Sequence, residues 1–395
     1  MAFVLSLVFW ITLSFIFYTY FGYPIIISLL AGIKKNPEWS DGHTPLVTVL
    51  IAAYNEEKVI QKKIENTLAL DYPKEKLQII IAADGSSDQT VGIAKKFVDR
   101  GVLLNFIPER GGKMAAITRA MQFAAGEIVV FSDANNIYDS VAIKKLVSPF
   151  LDPTIGAAIG SKLIVEDGRS LSSAEGLYWK YDSWIKKSET TVGSCITAVG
   201  EIFAIRRILF NAPKANIIND DQYMLFDLLR RGHRAVYVPE ARSYEYVSKS
   251  ASDEQTRRSR MTIGAIQTIS MSASLLPLNR PVVVWQIISH KYFRTYIPYA
   301  MFLALLSNIA LVVIRFQTQA RLPLFLETPV AQIFLALQVV FYGMALLGNL
   351  IQFNGILGKL LYLPTFLVNS NFALVVGMYK FLTKEQAHLW KRVQR

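Results

Sequence analysis

Asp133-Ala134-Asn135 closes a short apolar run from Ile128 to Phe131. A buried strand that ends abruptly on an acid is how an α/β sheet brings a polar group to its carboxyl edge, where ligands bind. Asp is also a favoured turn and cap residue, so Asp133 taken alone reads first as a turn acid. Other polar clusters end other runs. Tyr54-Asn55-Glu56-Glu57 follows Val47–Ala53, and Asp84-Gly85-Ser86-Ser87-Asp88 follows Leu77–Ala83. Gly111-Gly112-Lys113 opens a helix, an end that favours anions, and Asn219-Asp220-Asp221-Gln222 caps the predicted helix Tyr223–Arg231.

The elements that must hold these groups alternate. A continuous apolar run predicts a buried parallel strand over 47–53, and further strands are expected over 77–83, 102–107 and 128–131, with helices over 56–70, 88–99 and 113–125 between them. This is the pattern of a nucleotide-binding α/β half. The glycines match neither G-x-G-x-x-G nor G-x-x-x-x-G-K-[ST], which excludes the common dinucleotide and P-loop signatures. The second half is less regular. It offers helices over 139–148 and 172–188, a strand over 156–165 and a last strand over 235–238. Tyr178, Trp179, Tyr181 and Trp184 share the second helix, as packing residues or as an acceptor platform.

Of the 395 residues 52% are hydrophobic and 18% charged, and the apolar excess is concentrated in blocks. Residues 1–33, 295–314, 328–358 and 360–379 hold no charged side chain and no histidine, each near or above the span of a bilayer. The first block has no basic leader before it, which predicts an uncleaved anchor. Lys34 and Lys35 directly after it predict a cytoplasmic globular domain. Three C-terminal spans would leave the basic tail (Lys380, Lys384, Lys391, Arg392, Arg395) on the far side, against the positive-inside rule; an embedded piece within 261–289 would return it. One cysteine, Cys195, allows no intrachain disulfide, and with only four histidines the ligands of a zinc cluster are not supplied. The net charge of +12 comes without a basic stripe interleaved with aromatics, so anionic lipid and a phosphorylated substrate are expected, not nucleic acid.

The ordered set resembles the membrane-integrated branch of family 2 nucleotide-sugar glycosyltransferases, which includes cellulose, hyaluronan, chitin and poly-N-acetylglucosamine synthases. The resemblance runs from about Pro45 to Gln267. It rests on Ala53-Tyr54-Asn55-Glu56, Asp84-Gly-Ser-Ser-Asp88, Gly112-Lys113, Asp133-Ala-Asn135, the Gly200 to Arg207 segment and Asp220-Asp221. It implies an α/β GT-A (Rossmann-like) cytosolic catalytic domain over 45–260, flanked by an anchor at 1–33, interfacial helices over 261–294, about three transmembrane helices over 295–381 and a basic tail at 382–395.

It also implies an inverting transfer from a UDP-sugar, assisted by Mg²⁺ or Mn²⁺. Asp221 is the expected base for the acceptor hydroxyl. Asp133 and Asn135 are the expected metal ligands, Asn135 standing where the family has a second acid, with one formal charge fewer. On that reading Asn135→Asp preserves transfer. Tyr54, Glu56 and Asp84 would meet the nucleoside, and Lys113 the diphosphate. Arg257, Arg258 and Arg260 stand near the family's Gln-x-x-Arg-Trp signature, in the register Arg257 to Met261 or in the register Gln255 to Arg258. Neither supplies the tryptophan. The expected acceptor is a growing polysaccharide at the cell membrane; the alternative is a lipid, diacylglycerol or polyprenyl phosphate, taking one sugar per event. A membrane channel or receptor with a nucleotide-binding domain is the reading from another class.

Overall fold

Seven consecutive buried residues, Val47–Ala53, make strand β1. Such a run suits a strand covered on both faces. In the computed structural model, β2 (Leu77–Asp84), β3 (Val102–Ile107) and β4 (Ile128–Asp133) all lie parallel to it. The structure describes residues 1–40, 42–165, 170–214, 216–246, 251–319, 321–351 and 355–383. Register decides what gathers at the carboxyl edge. Ala53 pairs with Ala83, Ala52 with Asp133, and Asp84 with Ile107, so three of the polar clusters emerge along one line. The intervening helices, Ile60–Leu68, Thr90–Lys95 and Lys113–Met121, are shorter than their apolar patterns predict.

Four further strands complete the sheet: β5 (Ile137–Tyr138), β6 (Ile155–Ile164), β7 (Phe203–Arg206) and β8 (Arg234–Glu245). The order is β3-β2-β1-β4-β7-β6-β8-β5, with β7 antiparallel to β4 and β6 and with β8 parallel to β6. This mixed sheet with helices between its parallel strands is a GT-A-like fold. Two details correct the sequence reading. The last strand does not stop at Val238. Its register against β6 jumps from Gly160↔Val238 to Ser161↔Arg242, and the strand continues to Glu245. A Cβ on Gly160 would meet the Ala241 carbonyl at 2.6 Å, so the bulge depends on glycine's missing side chain. Second, the helix expected from Tyr223 begins at Asp220, which puts both acids inside its first turn, where carboxylates suit the helix dipole.

The sheet belongs to one of two compact units, comprising 27–253 and 267–286 among the described residues. The other unit comprises 1–26, 254–266 and 287–383. Its core joins Phe9, Ala304, Leu311, Leu322, Leu326 and Ala331, with Trp10 donating its indole N–H to the Leu324 carbonyl at 2.8 Å. Among the described residues, four helices are long and apolar enough to cross a membrane: Ala2–Gly32, Pro281–Thr318, Val330–Leu350 and Leu360–Leu382. Among those residues no separate span fills 261–289; the second of the four starts at Pro281 and takes in His290, Lys291 and Arg294. The basic tail beyond residue 383 lies outside the described residues.

Candidate active site

The carboxyl edge is built by loops that grip one another. Asn55, with φ 53°, receives the Ser87 N–H on its side-chain oxygen at 2.8 Å and gives its own N–H to Ser86 Oγ at 3.1 Å. Glu56, 6% exposed, donates its N–H to Thr90 Oγ1 at 2.7 Å. Asp84 takes the Gly111 and Gly112 N–H groups, one on each carboxylate oxygen, both at 2.8 Å. Its first task is therefore to hold the turn that opens the Lys113 helix. Arg110, just before that turn, lays its guanidinium 3.8 Å from the centre of the Tyr54 ring. Tyr54, Glu56 and Asp84 thus stand together, and Arg110 joins them although it falls in no motif.

Lys113 leads the helix Lys113–Met121 and reaches Asp133 Oδ1 at 2.8 Å. Burial on its own would lower the lysine's pKa. The negative field of Asp133, Asp220 and Asp221 outweighs it and holds the pKa above the ordinary value. That field brings the start of the Lys113 helix, the end of β4 and the start of the Asp220–Arg230 helix into one electrostatic neighbourhood. Asp221 accepts the Gln222 N–H at 2.7 Å. Gln222 in turn ties the helix to the preceding loop, its side-chain N–H meeting the Ile196 carbonyl at 2.9 Å. Gly200 leaves the space the acid occupies, since a Cβ there would lie 3.0 Å from Asp221 Oδ2.

Behind this surface lies a buried polar network that the motifs do not reveal. Asn135 Nδ2 donates to Glu245 Oε1 at 3.0 Å. Lys162 bridges Glu245 and Glu201, lying 2.8 Å from Glu201 Oε2. Ser243 links Glu201 to Asn136, and Asn136 Oδ1 accepts from Lys63 Nζ at 3.2 Å. Lys63 is fully buried over the Tyr138 ring. One signal of this network is present in the sequence: Lys63 lies between Ile60 and Ile64 on the inward face of an amphipathic helix, where a charge needs a reason. Glu245 gives none, because Pro239 ends the apolar run that would have led to it.

Arg257, Arg258 and Arg260 stand on the helix Ala251–Ser270, in the unit of the apolar helices. Arg258 donates to Ser370 Oγ at 2.8 Å and lies 4.8 Å from the Phe366 ring centre. Cys195 is no nucleophile: burial and the nearby Glu189 push its thiol up to about 12. Trp179 has the ammonium groups of Lys162 and Lys186 at 5.4 and 5.3 Å from its ring centre. Among the described residues no three His, Cys, Asp or Glu side chains form a cage for a metal. Asp133 and Asn135 offer hard oxygens at a strand end, a set that fits a Mg²⁺ or Mn²⁺ ion keeping diphosphate and water as its other ligands.

A poly-beta-1,6-N-acetyl-D-glucosamine synthase of Staphylococcus aureus (strain COL) is 28% identical over 268 residues, 66% of this chain and 63% of that protein. The chain therefore matches somewhat less than two thirds of that relative's length. A probable glycosyltransferase, YdaM, of Bacillus subtilis (strain 168) is 25% identical over 305 residues, 71% of this chain and 69% of its own. Among solved structures, the mannosyltransferase PcManGT from Pyrobaculum calidifontis, in complex with GDP-Man and Mn²⁺, superposes with a TM-score of 0.71. That match covers 96% of this chain and 100% of the other at 21% identity, so the likeness is one of fold. The family described as glycosyltransferase like family 2 matches residues 44–264, more than half of the chain, and the protein is a member of it: a glycosyltransferase.

Proposed function

We propose that the protein transfers a sugar with inversion from a UDP-sugar to a growing polysaccharide at a membrane, with the catalytic unit on the cytoplasmic side. The observation that carries this is the convergence on Lys113 of Asp133, Asp220 and Asp221 at the carboxyl edge of the parallel half-sheet. Inverting transfer is an in-line displacement at the anomeric carbon. It needs a base on the acceptor side and neutralised charge on the leaving diphosphate. Asp221 accepts the proton of the acceptor hydroxyl as its oxygen bonds to the anomeric carbon and the bond to the diphosphate breaks. Lys113, at a helix start, draws the diphosphate by charge and dipole together. On the same reading Arg257, Arg258 and Arg260 are guanidinium donors suited to diphosphate oxygens. Tyr54, Glu56 and Asp84 border the nucleoside. Asp133 and Asn135 would hold a divalent cation, which would supply additional charge neutralisation at the phosphates.

Membrane residence is supported by the four apolar helices, and the cytoplasmic side by Lys34 and Lys35 after the first of them. The synthase relative supports a polymer product. The fold neighbour, solved with GDP-Man and Mn²⁺, supports a nucleotide-sugar donor and a cation, although its nucleotide carries guanine where uracil is proposed here. The absence of a tryptophan after Arg257-Arg258-Ser259-Arg260 favours the second reading, single addition to a lipid. The full-length protein in nanodiscs, given Mn²⁺ and UDP-GlcNAc, UDP-glucose or GDP-mannose in turn, is the test. A UDP-sugar is expected to yield a ladder of long chains. One product of a single added sugar replaces the polymer reading with the lipid one. No product from any donor, with Asp221→Asn indistinguishable from wild type, overturns both.

A further inference from the structure

Asn135 stands at the site's edge and Glu245 stands behind it, 3% exposed, at the end of β8. An ionised carboxylate only accepts hydrogen bonds, so Glu245 can hold Asn135 only through the amide N–H. The 3.0 Å contact to Nδ2 therefore sets the orientation of the amide and leaves Oδ1 on the side away from Glu245. Glu245 is itself fixed, because its other oxygen pairs with Lys162, which is 6% exposed and shared with Glu201, 5% exposed. Among the described residues, Glu245 and Glu201 share the Lys162 ammonium. An acid at 135 would set a carboxylate oxygen against Glu245 where the amide N–H now donates, and like charges that close in a buried polar cluster repel strongly.

We propose that Glu245 is a positioning residue: it fixes the Asn135 amide with its oxygen directed away from the buried network as a cation ligand, and it is the reason this chain carries an amide where a second acid would otherwise stand. The proposal rests on the cation-and-donor site described above. It reverses the expectation that Asn135→Asp preserves transfer. Glu245→Gln alone should also harm the site. The new amide would donate toward Asn135, turn the Asn135 oxygen inward and leave its NH₂ facing the cation. Combined, Asn135→Asp and Glu245→Gln restore a donor–acceptor pair, now with a carboxylate directed outward.

Wild type, the two single variants and the double variant, each as full-length protein in nanodiscs, are compared by two readouts that need no turnover. These are the thermal unfolding midpoint in EDTA and Mn²⁺ binding in the presence of UDP, followed by electron paramagnetic resonance. Each single variant is expected to bind Mn²⁺ about 10–100-fold more weakly, the usual effect of losing a partner that orients a metal ligand. Asn135→Asp is also expected to lower the midpoint in EDTA. The double variant is expected to regain both the midpoint and the Mn²⁺ affinity. Should Asn135→Asp give no folded protein, Asn135→Ser keeps a hydroxyl donor for Glu245 and an oxygen for the ion; it is expected to bind Mn²⁺ more tightly than Asn135→Ala. Asn135→Asp binding Mn²⁺ as tightly as wild type overturns the proposal. So does a double variant that recovers its midpoint without recovering Mn²⁺ binding, which would leave the pair purely structural. Failure of the donor-site reading looks different: wild type itself binds no Mn²⁺ with UDP, while the midpoints in EDTA still report the pair.

Discussion

Lys113 Nζ lies 2.8 Å from Asp133 Oδ1, so the acid that closes β4 is met by a cation of the chain's own. Two parallel strand ends and a helix start create the meeting. Asp84, at the end of β2, holds the Gly111-Gly112 turn, the turn launches the helix, and the helix's first side chain spans to the end of β4. A lysine in this place balances Asp133, Asp220 and Asp221, and in the proposed function its ammonium is the one that meets the diphosphate.

Removing that ammonium should weaken the donor. A hydrogen bond to a charged group contributes about 2 kcal/mol, so Lys113→Met is expected to raise the donor KM roughly thirtyfold. Lys113→Arg should fall between the two. Asp133→Ala loses the carboxylate for a cation as well as the partner of Lys113, and kcat/KM should fall by about a thousandfold or more, the several kcal/mol that charge stabilisation at a phosphoryl site supplies. Initial-rate kinetics check both, and an active Asp133→Ala enzyme would undo the assignment of the strand's end.

Asp221→Asn keeps shape and loses the base. A positioned general base contributes about 10²–10⁴-fold, and kcat should fall by that much. Titration calorimetry with the donor nucleotide should show binding nearly unchanged. Loss of donor binding in step with kcat would reassign Asp221 to the diphosphate side.

Gly200→Ala separates geometry from stability. The added Cβ would lie 3.0 Å from Asp221 Oδ2, a tight approach that a small shift of the carboxylate relieves. The base is then displaced by a few tenths of an ångström. We expect an unchanged unfolding midpoint and a kcat lower by about tenfold, given that ångström-scale misplacement of reacting groups costs about 10². A variant with full kcat would mean that Asp221 does not work from this position.

The first half-sheet is legible because its strands are short, largely apolar runs between polar clusters: 47–53, buried throughout, and 102–107, half-buried at the sheet edge, match β1 and β3 at both ends. The polar groups come with them, since a parallel strand delivers whatever residue ends it. The second half hides its most consequential strand. Pro239 falls inside β8, and only a bulge against Gly160 carries the chain past it to Ser243 and Glu245. No local pattern encodes a strand whose pairing pauses after Val238 and resumes at Arg242. Asn135 shows the opposite failure. Its departure from a second acid is visible in the sequence, but the reason sits 110 positions away in Glu245.

Lys63 gives the network a pH signature. Burial lowers its pKa to about 7, with Glu201 and Asp133 offsetting part of the shift, against 10.5 for an unperturbed lysine. Between those values the unfolded chain holds a proton that the folded chain has released, so unfolding takes up a proton and stability rises with pH. Below about 7 both states are protonated, and the cost of the buried ammonium is constant. Lys63→Met removes the titration. The variant should be more stable than wild type near neutral pH, and the gap should close as pH rises, by at most about 1.4 kcal/mol per pH unit. Unfolding midpoints of the two proteins at about pH 7.5 and about pH 9.5 give the comparison. A gap that stays constant across that interval would mean that Lys63 keeps its proton in the folded protein, held by Glu201 and Asp133 against its burial.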